Sequence, residues 1–253
     1  MKKRLLVTND DGFASVALVA IVKALQTKYD VLVVAPAENC SGFAHSVTFG
    51  KRIAVKRVAD TLGAPTYAVK GTPADCVKFA HECVKEYPFV GVVSGINIGS
   101  NIGSDIMYSA TVAAGMEAAF LGYPAVALSH CDFGAVDLEE YASIAERLVT
   151  DLLPEAGEKR IFSVNFPPVP VKNCKGVVLA PLGEHRFTDE YEEVSEGEFV
   201  LDGVPLEVQP NEPNADVEMI KNGYITVTPL VTNRTDYGEL DRLKDKDFGV
   251  IHE

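Results

Sequence analysis

The chain has 253 residues, of which 47% are apolar and 23% charged, and its 36 acidic against 23 basic side chains give a formal net charge of −13. This length buries one large core, or one core with a smaller appended unit, and the mixture is that of a soluble globular protein; a mainly disordered chain and a small stapled scaffold are excluded. The negative charge opposes attraction to nucleic-acid phosphates and to anionic lipid, so neither stable nucleic-acid binding nor membrane association is expected, and an anionic substrate would need a cation to offset the field.

Lys2-Lys3-Arg4 mimics the start of a secretory leader, but the apolar run that follows ends at Thr8 and meets Asn9-Asp10-Asp11, so no leader core forms; no stretch reaches membrane-spanning length. Cys40, Cys76, Cys83, Cys131 and Cys174 are odd in number, scattered, and free of Cys-x-x-Cys spacing. Reduced thiols in a cytoplasm are expected.

The first 165 residues alternate β-like apolar runs with helical ones, the pattern of an α/β fold whose mostly parallel sheet is covered on both faces. Strands are expected over 5–8, 31–35, 89–94, 125–129 and 161–165, and helices over 15–27, 74–85, 111–121 and 138–153. Between Val47 and Val69 two short alternating runs, Arg52 to Lys56 and Thr66 to Val69, flank a turn containing Gly63; they read as an inserted antiparallel arm. After Pro167-Pro168 the pattern loosens into a C-terminal extension. It has short strands at 177–179 and 199–201, a second arm over about 184–216 that includes the acidic stretch from Glu207 to Asp216, a late strand over 224–229 and a terminal helix over about 237–246. Residues 1–253 are read as one domain with its core in about 1–180.

In an open parallel sheet, ligands bind beyond the carboxyl ends of the strands, so the loops following strands carry the information. The first holds Asn9-Asp10-Asp11-Gly12. Two adjacent carboxylates repel and raise each other's pKa, and a bound divalent metal is the simplest remedy; an Asx turn with Asp11 capping the next helix is the alternative. The second loop contains Ser41-Gly42 after Pro36 to Cys40, a small hydroxyl residue before a glycine. The third runs from Ser94 to Asp105, with glycines at Gly95, Gly99 and Gly103 and asparagines at Asn97 and Asn101. A loop this long without secondary structure inside a compact domain is usually functional, and its glycines let backbone and amides approach a ligand closely. It leads through Tyr108-Ser109-Ala110-Thr111 into an alanine-rich helix. Ser109 or Thr111 caps that helix, and a helix N-terminus with hydroxyls also suits an anion.

Asp10, Asp11, Ser41 and Asn97 supply oxygen, and only Cys40 and His45 bring soft or nitrogen donors near them, so magnesium or manganese is expected over zinc. A hard cation beside a phosphate-sized anion pocket points to phosphate-ester hydrolysis, in which the metal polarises the phosphoryl oxygen and lowers the pKa of a bound water.

The motifs LLVTNDDG, SG with a downstream SVT, GTPADCV, SGINIGSNIG and YSATVAAGMEAA, in that order, resemble the SurE family of stationary-phase survival proteins, and GYITVTPL resembles its late strand. The resemblance implies a Rossmann-like core and a divalent-metal-dependent phosphatase, a 5′/3′-nucleotidase acting on nucleoside monophosphates, with exopolyphosphatase activity in some members. It places one Mg²⁺ or Mn²⁺ per subunit on Asp10, Asp11, Ser41 and Asn97, with Asp10 and Asp11 as catalytic residues. Asn101, Ser109 and Thr111 match positions lining the phosphate pocket, Gly42 follows the ligand Ser41, and Gly71 and Thr72 open the GTPADCV motif and are assigned to phosphate binding. The resemblance also implies a homodimer or homotetramer. Ala110 stands where the family usually has glycine, and Asn214-Ala215-Asp216 where it commonly has a Thr-Asp pair.

Two rival functions fit the same scaffold. A nicotinamide-dependent oxidoreductase needs Gly-x-Gly-x-x-Gly where this chain has the Asp10-Asp11 turn. A non-catalytic metal and nucleotide sensor would keep the pocket without turnover. His45 lies near the site but is given no firm role; His81, His130, His185 and His252 are given none, and the acidic run from Glu184 to Glu198 reads as a solvated face.

Overall fold

The computed structural model describes residues 2–59, 62–132, 134, 136–157, 159–204, 206 and 212–246. In chain order it contains β1 (Arg4–Thr8), α1 (Val16–Leu25), β2 (Asp30–Pro36), β3 (Val55–Val58), β4 (Thr66–Val69), α2 (Pro73–Cys83), β5 (Val92–Ile98), α3 (Ala110–Phe120), β6 (Ala125–His130), α4 (Leu138–Leu152) and β7 (Arg160–Phe166). There follow β8 (Val177–Leu179), β9 (Glu190–Ser195), β10 (Glu198–Asp202), α5 (Asp216–Lys221), β11 (Ile225–Val231) and α6 (Tyr237–Leu243).

Nine strands form one sheet in the order β3-β4-β2-β1-β5-β6-β7-β11-β8. From β4 to β7 all neighbours run parallel. β11 is antiparallel to β7, and β8 is parallel to β11.

Successive residues of a strand face opposite sides, so the continuous apolar runs of β1 and β2 are buried on both. Leu5 and Val7 join the side covered by α1 and α4, where Leu18, Ile21, Tyr141 and Val149 are buried. Leu6, Leu32 and Val34 join the other, covered by α2 and α3. Each such side chain contributes about 1.5–3 kcal/mol by burial. The small residues of α3 let it lie close to the sheet: a Cβ on Gly115 would be 3.1 Å from Ile161 Cδ1. The expected parallel core with helices on both faces is therefore observed.

The segment over 47–69 forms the antiparallel pair read from its alternation, with a difference in where it starts and in what it pairs with. Its first strand starts later, at Val55, and pairs antiparallel with β4. β4 itself runs parallel to β2, from Val33 opposite Thr66 to Pro36 opposite Val69, so the pair widens the main sheet. The cause is burial: Thr66, Ala68 and Val69 are covered, which a free arm cannot provide, while the exposed Lys56 and Arg57 blunt the outer edge. The two-stranded ribbon that stands apart is β9–β10, every residue of which is exposed. Of the acidic stretch from Glu207 to Asp216, residues 207–211 lie outside the described residues, and the terminal helix ends at Leu243 rather than near 246.

Candidate metal centre

β1 is joined through α1 to β2 on one side and hydrogen-bonds to β5 on the other, so the sheet reverses its direction of winding at β1. The crevice beyond the carboxyl ends of β1 and β5 is where such sheets bind ligands. Asn9 Nδ2 donates to Gly12 O (2.9 Å), closing the turn after β1, and Phe13 N donates to Pro36 O (2.9 Å) at the end of β2. Gly12 has φ +99°, and a Cβ there would be 3.4 Å from Pro36 O. Ile98 N at the end of β5 donates to Asp11 Oδ2 at 3.4 Å. The acidic turn is thus held by three adjacent strands.

Asp10 is buried, and its Oδ1 accepts a hydrogen bond from Thr111 Oγ1 at 2.5 Å. Burial pushes its pKa up to about 6; the Thr111 hydrogen bond opposes the shift and the neighbouring Asp11 charge adds to it. Burial raises Asp11 as well, against the hydrogen bond from Ile98 N–H.

Asp10 O accepts from Cys40 N (2.8 Å), which brings the second loop over the first. Ser41 N donates to Asn39 Oδ1 (2.8 Å), a local turn that sets the start of Ser41-Gly42. Farther along, Ala44 N donates to Tyr108 O (3.0 Å), His45 Nε2 lies 2.9 Å from Glu117 Oε2, and Thr48 reaches Asp75 through its N (2.9 Å) and Oγ1 (2.6 Å). Lys78 Nζ completes the Glu117 pairing at 2.7 Å. Burial raises the Glu117 carboxyl, but the hydrogen bonds from His45 and Lys78 together bring it below the usual range.

In the third loop, Asn97 Nδ2 donates to Gly99 O (2.9 Å), which commits the amide nitrogen and leaves Oδ1 as the oxygen donor of that side chain. Asn101 is anchored by its N to Asn165 Oδ1 (3.0 Å) and by its Nδ2 to Ser129 Oγ (2.7 Å). Ser109 is the N-cap of α3, its Oγ accepting from Val112 N at 3.0 Å.

These loops enclose a cleft of about 670 Å³ whose lining includes Asp10, Ser41, Gly42, Asn97, Asn101 and Ser109. Asp11 and Thr111 are not in the lining; Asp11 is tied to the lining residue Ile98 and Thr111 to Asp10 by hydrogen bonds. Gly71 and Thr72, expected to bind phosphate, do not line it. The Thr72 hydroxyl spends its one proton on Ser46 O (2.7 Å) and accepts from Asp75 N (3.1 Å), completing a capping box on α2. A Cβ on Gly71 would meet Asp75 Oδ2 at 2.7 Å. Both residues secure the second loop from behind.

His185, Arg186 and Phe187 also line the cleft, although their segment reads from sequence as a solvated acidic face. Asp216 draws them in: its carboxylate accepts from Gly103 N (2.8 Å), Gly183 N (2.7 Å) and Val217 N (2.8 Å), binding the third loop to the chain that precedes His185. The available signal was local: two basic residues and an aromatic inside an otherwise acidic run.

Among the described residues no group of three or more His, Cys, Asp or Glu side chains is placed to hold a metal. The two carboxylates of the turn after β1 and the neutral side chains of Ser41 and Asn97 are the candidate donors at this crevice. Such an all-oxygen set suits a hard divalent cation.

Residues 5–189 match the family model described as Survival protein SurE. The chain is 36% identical over 248 residues to the 5′-nucleotidase SurE of Petrotoga mobilis, with 95% of this chain and 97% of that protein covered. To the 5′-nucleotidase SurE of Synechococcus elongatus it is 37% identical over 253 residues, covering 95% and 98%. The crystal structure of the SurE protein from Aquifex aeolicus superposes with a TM-score of 0.82 at 33% identity, covering 95% of this chain and 98% of that one. The agreement extends through sequence and fold over nearly the whole length: the chain belongs to the SurE family.

Proposed function

We propose that the chain is a divalent-metal-dependent 5′-nucleotidase, a phosphomonoesterase that hydrolyses nucleoside monophosphates to nucleoside and phosphate. The observation that carries this reading is the buried Asp10 carboxylate at one wall of a cleft that is also lined by the neutral side chains of Ser41, Asn97 and Asn101 and by Ser109, the N-cap of α3. The names of the relatives support the same activity. Asp10, Asp11, Ser41 and Asn97 would hold one Mg²⁺ or Mn²⁺ per subunit. When bound, the cation supplies Lewis-acid polarisation of the phosphoryl group and offsets the negative charge of the protein.

The chain's own groups do the rest. Ser109 and the first N–H groups of α3 would receive the phosphoryl group, with Asn101, another cleft-lining residue, held by Ser129 and by Asn165. Gly42, at φ +76° with nothing within 4 Å of a built Cβ, leaves room for substrate to approach the loop backbone. Thr111 keeps Asp10 oriented and favours its ionised form.

Hydrolysis of 3′-monophosphates and trimming of short polyphosphates are part of the proposal, since both present the same terminal phosphoryl group. So is a homodimer or homotetramer: β9–β10 exposes Tyr191, Val194, Phe199 and Leu201, and a lone two-stranded ribbon has too little cover to be stable alone. The described residues include no helix long and apolar enough to cross a membrane, and the five unpaired cysteines support a cytoplasmic setting.

Phosphate release from a panel of nucleoside monophosphates and short polyphosphates by EDTA-stripped protein, with and without added Mn²⁺ or Mg²⁺, tests the reading. Release restored by metal is expected; measurable nucleotide binding with no release under any metal would point to a sensor instead.

A further inference from the structure

We propose that His185, oriented by Asp105, is the general acid that protonates the ester oxygen as it leaves phosphorus; the proposal rests on the nucleotidase reading above. A nucleoside alkoxide is a poor leaving group, and a positioned acid lowers the barrier to its departure. Among the cleft-lining residues the candidates for that acid are few. Asp10 belongs to the metal centre, Asp105 is paired with His185 itself, Arg186 does not release its proton near neutrality, and Tyr108 and Asp189 are exposed. Histidine is the side chain whose ordinary titration lies close to neutral pH.

The setting of His185 is built. Its Nδ1 lies 2.6 Å from Asp105 Oδ2, its backbone N donates to Ser104 Oγ at 3.1 Å, and its ring meets the edge of Phe187 at 4.9 Å between centroids. The imidazole side chain is 18% exposed. With Nδ1–H directed at a carboxylate, the other nitrogen, Nε2, carries the transferable proton of the imidazolium. Asp105 lies in the same loop as Asn97 and Asn101, and Asp216 clamps Gly103 in that loop to Gly183, two residues before His185. The histidine is therefore fixed relative to the candidate ligands even though it enters from the C-terminal extension.

In the step, the bond from phosphorus to the water oxygen forms and the bond from phosphorus to the ester oxygen breaks. The Nε2 proton moves to the ester oxygen, so the nucleoside departs as a neutral alcohol. One proton of the attacking water stays on the product as HPO₄²⁻, and the other returns to the imidazole through solvent. Asp105 acts through the ring and is a positioning residue.

The test compares metal-loaded wild type, His185→Asn and Asp105→Asn on a nucleoside 5′-monophosphate and on p-nitrophenyl phosphate, whose leaving group needs no proton. For His185→Asn, kcat on the nucleotide is expected to fall ~100-fold or more while kcat on p-nitrophenyl phosphate changes less than ~3-fold. Asp105→Asn should show the same selectivity with a smaller loss, on the order of 10-fold, at an unchanged metal requirement. If His185→Asn does not fold, as judged by thermal unfolding, His185→Gln reads the same split. Equal losses on both substrates, or no loss on the nucleotide, would overturn the proposal. A wild-type protein that hydrolyses neither substrate with any metal would overturn the nucleotidase reading and this proposal with it.

Discussion

Thr111 Oγ1 donates to Asp10 Oδ1 at 2.5 Å, so one hydrogen bond joins the first turn of α3 to the turn after β1 across 101 residues of sequence. The bond opposes the effect of burial on Asp10, whose pKa still stands at about 6. In Thr111→Val the carboxyl should titrate higher still, because the donor that stabilised its charged form is gone. In the metal-free protein the NMR titration of the Asp10 carboxyl should therefore move to higher pH, and stability should drop by ~1–3 kcal/mol. Thr111→Ser, which restores the hydroxyl, should recover both; a titration unmoved in Thr111→Val would show that the bond does not govern Asp10.

The raised pKa of Asp10 has a stability consequence of definite sign. The folded state holds the proton more tightly than the unfolded one, so Asp10 favours folding below its ordinary value of 3.8, and that contribution is lost as pH rises through about 6. The difference amounts to ~3 kcal/mol at neutral pH. Metal-free Asp10→Asn should then unfold at higher denaturant than metal-free wild type at pH 7, with the gap closing towards pH 4. Added Mn²⁺ should stabilise wild type but not the variant, whose phosphatase activity, like that of Asp11→Asn, should fall at least ~100-fold. Paired urea titrations at the two pH values decide it, and a variant weaker than wild type throughout would count against the uncompensated carboxylate.

Ser41 and Asn97 contribute neutral oxygens, so removing either weakens the metal centre without stranding a charge. Ser41→Ala and Asn97→Ala are each expected to raise the metal concentration for half-maximal activity by ~10–100-fold, with activity recovering at saturating metal. Isothermal titration of Mn²⁺ into the stripped proteins gives an independent reading. Unchanged metal affinity in both would remove them from the ligand set.

Glu117 holds the Ser41 loop from a distance, through His45 at 2.9 Å, while Lys78 at 2.7 Å completes its pairing. Glu117→Ala removes the acceptor shared by His45 and Lys78, whose side chains are 28% and 44% exposed, and should cost ~1–2 kcal/mol. Because the pKa of Glu117 is lowered in the fold, its contribution is present at neutral pH and is lost as pH falls through the acid range. Hydrogen exchange over residues 40–48 should quicken in the variant relative to wild type; equal protection would show that Asp75, which receives Thr48, suffices to hold the loop.

Much of this was legible in the sequence because it is local. Continuous apolar runs such as Leu5 to Val7 and Val31 to Ala35 report strands buried on both faces, and the helical runs between them report a covered parallel sheet. The Asp10-Asp11 pair, Ser41-Gly42 and the glycine-spaced asparagines announce themselves by chemistry that a plain connection would not need. Periodicity, however, states whether a residue is buried and not which partner covers it. Only the tertiary structure placed β4 beside β2 and widened the main sheet with the supposed arm. It likewise spent the Thr72 hydroxyl on a helix cap instead of the cleft. His185 and Asp105 are 80 residues apart, and nothing in either neighbourhood predicts that they meet. Their pairing is supported by Asp216, a buried carboxylate whose two distant backbone donors, Gly103 N and Gly183 N, come together only once the extension has folded back against the third loop.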